Sequence, residues 1–194
     1  IDTADYVLTF TPGSYKAGQM GKLDSVAGMT IGAYQLRPQS RGYVRLRSKN
    51  PMDAPAIQTN YLAAEIDQGV ITEALKMCRR LANGQPLARY CANEAYPGDH
   101  VKTDQDVLAY ARQQGSSGYH LAGTCRMGPR SGANSDKMAV VDAELRVYGI
   151  DGLRVADTSI MPAITSGNTN APVMMIAEKA ADLILGKSLP PATF

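Results

Sequence analysis

Apolar side chains recur at spacings of three and four residues in the middle of this chain, a pattern that predicts an amphipathic α-helix. The pattern ends at Asn83-Gly84, and its members are Ile66, Val70, Ile71, Leu75, Cys78 and Leu81. We expect one face of the helix to pack inward, with Cys78 on that face.

The residues before this helix have the pattern of short strands joined by tight turns. Short apolar stretches occur at residues 6–10 and 29–31. The glycines among them are Gly13, Gly18, Gly21, Gly28 and Gly32. From Gly42 to Arg47, apolar and basic residues alternate, which predicts a strand with one solvated face.

Two further helices are predicted in the second half of the chain. Thr103, followed by acidic residues, is typical of a helix N-cap, and this helix should run through Arg112 and close at Gly115. The last helix should follow Pro172 and reach about Leu185. Strand character occurs at residues 140–141, 145–147 and 153–156. Strands at the start and separate helices afterwards predict an α+β fold.

The composition is that of a globular domain with a buried core, since 44% of the residues are hydrophobic and 20% are charged. The net charge is only +2, and no run of basic residues exceeds two, so we expect no nucleic-acid partner. The longest apolar segment, residues 173–185, contains three charged residues, so we expect no transmembrane segment.

The cysteines indicate a cellular compartment, and the first residues indicate whether the chain is part of a longer protein. The three cysteines form no CxxC pair, which favours a reducing compartment, and we expect a cytoplasmic protein whose membrane association, if any, is through a partner. Residues 1–5 contain no initiator Met and no signal peptide, so we expect the chain to be cut from a longer protein.

The two histidines limit the acid–base chemistry that this chain can supply. His100 lies in a turn-like segment and is interpreted as a solvated surface residue. His120 lies in a loop of small residues, 118–128, where backbone can approach a ligand closely. From the residues alone, a structural role and a catalytic role for His120 are equally good interpretations.

A second polar segment, residues 165–172, ends where the last helix begins. Asn170 or its neighbours can cap that helix, and the free N–H groups of a helix start attract an anion. Simple capping is the favoured interpretation of this segment taken alone.

Several segments together resemble the C-terminal part of the glucose–methanol–choline (GMC) family of FAD-dependent oxidoreductases. The most specific are the run from Gly149 to Pro162, which reads GIDGLRVADTSIMP, and the run from Ser166 to Pro172, which reads SGNTNAP. The likeness covers about residues 38–187 and also takes in Ser40-Arg41-Gly42, Asn60-Tyr61-Leu62, the His120 loop and residues 176–181.

The resemblance implies that an alcohol loses hydride to FAD while a base accepts its hydroxyl proton. His120 falls on the family's base position, and the usual pKa of histidine, about 6.5, suits that task. Asn168 falls on the partner position, where an amide can hold the substrate oxygen and donate to a developing alkoxide. Tyr119, next to the base, is expected to form a wall of the substrate pocket.

The resemblance also assigns cofactor contacts. Ala156 and Asp157 match positions that contact the ribityl and phosphate part of FAD, and Asn168, Thr169, Asn170 and Val173 match positions beside the flavin ring. The helix that starts near these residues is expected to stabilise negative charge on the reduced flavin. No metal ligands are assigned.

The family's GxGxxG fingerprint, which holds the FAD pyrophosphate, does not occur in this sequence. The resemblance therefore implies an N-terminal FAD-binding portion as partner, either missing here or on another chain, and a small-molecule alcohol as substrate. It divides the chain into a substrate-binding antiparallel-sheet domain flanked by helices (1–140), a strand and helix that complete a Rossmann-like FAD domain (141–187), and a tail (188–194).

Three alternatives remain at this point. Cys125 lies five residues from His120, so a Cys–His hydrolase is considered, although no orienting carboxylate or amide is suggested. A hydroxynitrile lyase of the GMC fold would use the histidine while the flavin stays idle. The chain alone is also expected to be inactive as an isolated fragment. The sequence leaves open which alcohol is oxidised and which acceptor takes the electrons.

Overall fold

A computed structural model describes residues 3–16, 19 and 21–187 of the chain. Gly18 and the tail assigned to residues 188–194 lie outside the described residues. The chain divides into two compact units, Ile1–Gly118 and Tyr119–Phe194. The family-based division at residue 140 concerns the return to an FAD domain, and it stays a prediction.

The first unit contains two small antiparallel sheets. Strand β1 (Tyr6–Thr11) pairs with β2 (Thr30–Gln35), in a register that places Tyr6 opposite Gln35. Strand β3 (Tyr43–Arg45) pairs with β4 (Ala56–Gln58). The strands expected at 6–10 and near 29–31 are confirmed, whereas the short β4 has no clear periodicity and was not predicted.

The alternation at 42–47 predicted a longer strand with a buried apolar side, and this was wrong in two respects. Strand β3 has only three residues, all of them exposed. Val44 is 49% exposed and Leu46 is 88% exposed, because no layer of the described part of the chain covers the apolar side of this strand.

Two helices complete the first unit. Helix α1 (Glu65–Asn83) packs against β2 and against α2 (Asp104–Gln114). Thr103 caps α2 in a reciprocal capping box with Asp106, as its sequence predicted. Cys78 is buried on α1, also as predicted.

The inward face of α1 is narrower than its apolar periodicity implied. Ile66 and Leu81, at the two ends of the helix, are 61% and 43% exposed. The buried positions of the helix are Asp67, Thr72, Ala74 and Cys78. These buried side chains are small or polar, and α1 packs against strand β2 and helix α2.

The second unit is built around helix α3 (Asn170–Ile184) and a 3₁₀ turn at Thr158–Ile160. Its core consists of Val141, Leu145, Ile160, Met161, Ile176 and Ala180. The segments predicted as strands at 140–141, 145–147 and 153–156 make isolated bridges, Val141 with both Met127 and Val147, and Arg146 with Arg154. A continuous ladder needs a neighbouring strand along its whole length, and the described residues provide none there.

Among the residues that the structure describes, no helix is both long enough and apolar enough to cross a bilayer. The three cysteines are free thiols. Within the same residues, no group of three or more His, Cys, Asp or Glu side chains is arranged to hold a metal ion.

Candidate active site

Backbone hydrogen bonds fix the loop that carries His120 within the second unit. Cys125 N donates to Ser159 O at 2.9 Å, and Met127 N donates to Ile160 O at 2.7 Å. Gly123 has a φ of +91°, and a Cβ at this position would lie 3.3 Å from Met161 O. Glycine therefore allows the loop to turn close to the 3₁₀ segment.

His120 is half-buried and contacts the residue that precedes helix α3. Its Nδ1 lies 3.0 Å from the Thr169 hydroxyl oxygen, and the Thr169 backbone N–H points at the same nitrogen with an N···N distance of 3.4 Å. Thr169 is only 5% exposed. The fold thus joins two segments that lie 49 residues apart in sequence.

The start of α3 differs from the simple capping expected from the sequence. Thr169 occupies the N-cap position, but its side chain makes no capping hydrogen bond. Asn170 is the first helical residue rather than the cap. The physical reason is that the Thr169 hydroxyl faces His120, so it is not turned toward the N–H groups of the first turn.

The proposed catalytic pair is brought into one neighbourhood through Thr169. Asn168 directly precedes Thr169 and is exposed, while its neighbour is buried against the imidazole. Tyr119 directly precedes His120 and is 84% exposed. The exposed side chains of Asn168 and Tyr119 therefore lie beside a partly buried contact between their neighbours.

Left-handed backbone occurs on both sides of this contact. Tyr119 has a φ of +59° and Ser166 a φ of +60°. This conformation costs residues with a Cβ roughly 1–2 kcal/mol each, and such strain is concentrated at functional sites. Its position beside His120 and Asn168 favours a functional interpretation of the two segments.

The other residues assigned to the cofactor differ in their roles. The Asp157 carboxylate accepts the Ser159 backbone N–H at 2.7 Å and so caps the 3₁₀ turn, while Ala156 is exposed beside it. Val173 is half-buried and packs against the core of the second unit. Its side chain is thus occupied by the core, which leaves its backbone for any cofactor contact.

Two sequence interpretations can be compared directly with this geometry. His100 is exposed, as expected. Cys125 is a half-buried free thiol, but the hydrogen bonds of His120 within the described part of the chain go to Thr169. No contact of the imidazole therefore supports a Cys–His pair.

Thr169 is the residue of this site whose role the sequence did not reveal. The family pattern assigned Thr169 to the contacts beside the flavin ring and gave no reason to pair its side chain with His120. A threonine between two asparagines carries no signal for a partner 49 positions away.

The α+β fold of this chain is that of the C-terminal domains of known oxidoreductases. A family model described as GMC oxidoreductase matches residues 38–177. The chain belongs to the GMC oxidoreductase family.

Among curated proteins, the chain is 44% identical over 151 residues to the mitochondrial choline dehydrogenase of Mus musculus. The match covers 78% of this chain and 25% of that protein, so the chain spans about a quarter of the length of this relative.

Solved structures give the same result. Pyridoxine 4-oxidase from Mesorbium loti superposes with a TM-score of 0.81 at 27% identity, over 95% of this chain and 35% of that one. An FAD-dependent oxidoreductase from Chaetomium thermophilum has a TM-score of 0.73 at 36% identity, over 82% of this chain and 27% of that one. FAD is the cofactor of this group of proteins.

Proposed function

We propose that this chain is the C-terminal part of a flavin-dependent alcohol oxidase or dehydrogenase in which His120 is the general base. The observation that carries the proposal is the contact of His120 Nδ1 with Thr169, at 3.0 Å, beside the start of α3. This contact leaves the other ring nitrogen, Nε2, as the atom that would meet a substrate.

The base would accept the hydroxyl proton of the alcohol at Nε2. A neutral imidazole suits this task because its usual pKa lies near neutral pH. The half-buried position of His120 and its attachment to a buried threonine hold the ring in one orientation.

Asn168 would hold the substrate oxygen. Its carboxamide N–H groups can donate to an alkoxide as negative charge develops, and the amide does not titrate near neutral pH. The support for this role is its position, exposed and adjacent to the residue that contacts His120.

The residues at the start of α3 fit the flavin by their donor chemistry. The first-turn N–H groups of a helix have no intrahelical partner, and Thr169 does not cap them. Such donors and the positive end of the helix suit the electron-rich pyrimidine edge of a flavin. Asn168, Thr169, Asn170 and the Val173 backbone would contact the ring, with Ala156 and Asp157 near the ribityl and phosphate groups. FAD, when bound, would supply the hydride acceptor.

The N-terminal FAD-binding portion would cover apolar surface on α3. Met174, Met175, Ile184 and Leu185 at this helix are each more than half exposed. In this proposal these side chains lie at the interface with that portion, since the chain spans only about a quarter of its mouse relative.

The substrate would be a small alcohol, and choline is the first to test because of the mouse relative. Tyr119, exposed beside His120, would form a wall of the pocket. The expected cytoplasmic location stays a prediction, and the mouse relative is described as mitochondrial.

The test is anaerobic reduction of the full-length flavoprotein by choline and by an uncharged primary alcohol. We expect at least one of them to bleach the oxidised flavin spectrum and to give the matching carbonyl compound. If every alcohol leaves the spectrum unchanged while a cyanohydrin is cleaved, the protein is a lyase and the redox proposal is wrong.

A further inference from the structure

We infer that the Thr169 hydroxyl is a positioning group that selects the ring tautomer in which His120 can act as a base. The inference rests on the proposed function, because it explains how the same site becomes competent to take a proton. It assigns to Thr169 a role separate from any contact with the cofactor.

Two groups of Thr169 meet the same ring nitrogen, and they differ in what they can do. The backbone N–H can only donate, so by itself it requires His120 Nδ1 to be an unprotonated acceptor. The side-chain hydroxyl can donate or accept, so it tolerates either state of Nδ1.

The tautomer decides whether His120 can be a base at Nε2. A neutral imidazole carries one proton, and if Nδ1 lacks it, Nε2 holds it and has no lone pair for a substrate proton. If Nδ1 holds the proton and donates to Thr169 Oγ1, Nε2 has the free lone pair. Of the two groups of Thr169, only the hydroxyl oxygen can accept from Nδ1–H.

The distances and the burial favour control by the hydroxyl. The hydrogen bond between Nδ1 and Oγ1 is 3.0 Å long, whereas the one from the backbone nitrogen is 3.4 Å long and is therefore the weaker of the two. Thr169 is 5% exposed, so water has little access to replace its hydroxyl. In the inferred tautomer the hydroxyl oxygen accepts from Nδ1–H, and the longer contact with the backbone N–H is given up.

The hydrogen bond from Nδ1–H to Thr169 Oγ1 is compatible with both protonation states that His120 would pass through in the reaction. The alcohol would give its hydroxyl proton to Nε2 and leave as the carbonyl compound, and FAD, when bound, would supply the acceptor for the hydride of the carbinol carbon. His120 becomes an imidazolium, and its Nδ1–H continues to donate to Thr169 Oγ1, so no atom of Thr169 has to move.

The test compares Thr169→Val with Thr169→Ser in the full-length flavoprotein. Valine keeps the shape and the backbone N–H but removes the acceptor, so flavin reduction by substrate should slow roughly ten- to a hundredfold with an unchanged apparent Kd for the alcohol. Serine restores the acceptor and should return the rate to within about threefold of wild type. Thr9→Val, at an exposed threonine of β1 in the first unit, serves as the matched control and should leave the rate unchanged.

The second readout does not depend on turnover. In protein labelled with ¹⁵N-histidine, with the His120 signals assigned from their loss in His120→Gln, Nδ1 should be the protonated nitrogen of neutral His120 in wild type and in Thr169→Ser. In Thr169→Val the proton should move to Nε2.

Distinct results would overturn the inference and the proposed function. Tautomer selection by the hydroxyl is refuted if Nδ1 is protonated in Thr169→Val or unprotonated in wild type. It is also refuted if the flavin of Thr169→Val is reduced by the alcohol at the wild-type rate. If Thr169→Val fails to fold, a Thr169→Ser protein with a normal flavin spectrum but a rate as slow as His120→Ala refutes it instead. Normal reduction in His120→Ala refutes the proposed function itself, whatever the Thr169 variants do.

Discussion

The backbone N–H and the hydroxyl of Ser40 both donate to the same carboxylate oxygen of Asp67, in the first turn of α1. Asp67 is 1% exposed, and its other oxygen accepts from Gln35 Nε2 and from the Gln39 backbone N–H, each at 2.8 Å. The Ser40 hydroxyl in turn accepts the Ala64 backbone N–H at 3.1 Å. One buried carboxylate therefore ties the end of β2 and the approach to β3 to the start of α1.

Replacing Asp67 by Asn should destabilise the protein by about 2–4 kcal/mol. The amide keeps the size of the side chain but turns one acceptor into a donor that faces the N–H and O–H of Ser40. Urea unfolding followed by circular dichroism measures the loss. Asp99→Asn, at an exposed aspartate of the same unit, is the control and should change stability by less than about 0.5 kcal/mol. Equal losses in the two variants would contradict the structural role of Asp67.

The same carboxylate should make stability depend on acid pH. Burial by itself raises the pKa of Asp67, but the hydrogen bonds from Gln39, Ser40 and Gln35 outweigh it and hold the pKa below its ordinary value. Because the folded pKa is lowered, the stabilisation is fully present above the unfolded pKa of about 3.9 and is lost as the pH falls through the folded pKa.

Unfolding at pH 7, 5 and 3 measures this effect. The stability difference between wild type and Asp67→Asn should be similar at pH 7 and 5 and should shrink at pH 3 and below. If the stability difference grows as the pH falls below 4, folding does not lower the pKa of Asp67 and the prediction is wrong.

Gly42 should be intolerant of a side chain. A Cβ at this position would lie 2.0 Å from Gln58 O and 2.8 Å from Thr59 O, so the backbone of the β3–β4 pair would have to move. We expect Gly42→Ala to lower stability by more than about 2 kcal/mol. Gly69→Ala, within α1 where a Cβ meets nothing within 4 Å, should instead raise stability by about 0.5–1 kcal/mol. Thermal unfolding of the two variants measures both changes in stability. If both variants gain stability or both lose it, the prediction is wrong.

His120→Ala should slow flavin reduction by substrate roughly a hundredfold or more, which is the usual scale for loss of a general base. Anaerobic stopped-flow spectroscopy of the full-length protein measures the rate. His100→Ala is the matched control, because His100 is exposed in the first unit and should not affect the rate. If the alcohol reduces the flavin of His120→Ala at the wild-type rate, His120 is not the catalytic base.

Asn168→Ala should affect the hydride step more than substrate binding. The amide is proposed to stabilise the developing alkoxide, so its loss should lower the limiting reduction rate while the apparent Kd changes little. Both constants come from the dependence of the reduction rate on alcohol concentration. A variant with a weaker Kd and an unchanged limiting rate would show that Asn168 only binds.

The sequence by itself determined the elements that depend on local chemistry. The periodicity around Cys78 gave helix α1, the Thr103–Asp106 capping pattern gave the start of α2, and the apolar run after Pro172 gave α3 to within a few residues. The motifs at 149–162 and 166–172 gave the family. These signals are short in range, because caps, turns and helical faces involve residues within a few positions of one another.

Only the tertiary structure decided the contacts made across long separations. It buried Asp67 under Ser40 and the end of β2, left Val44 and Leu46 exposed, and placed Thr169 against His120. No local pattern specifies such pairs, because whether a threonine hydroxyl caps its own helix or faces an imidazole depends on which segment packs beside it. Packing of the 118–128 loop against the 3₁₀ turn and α3 made that choice here.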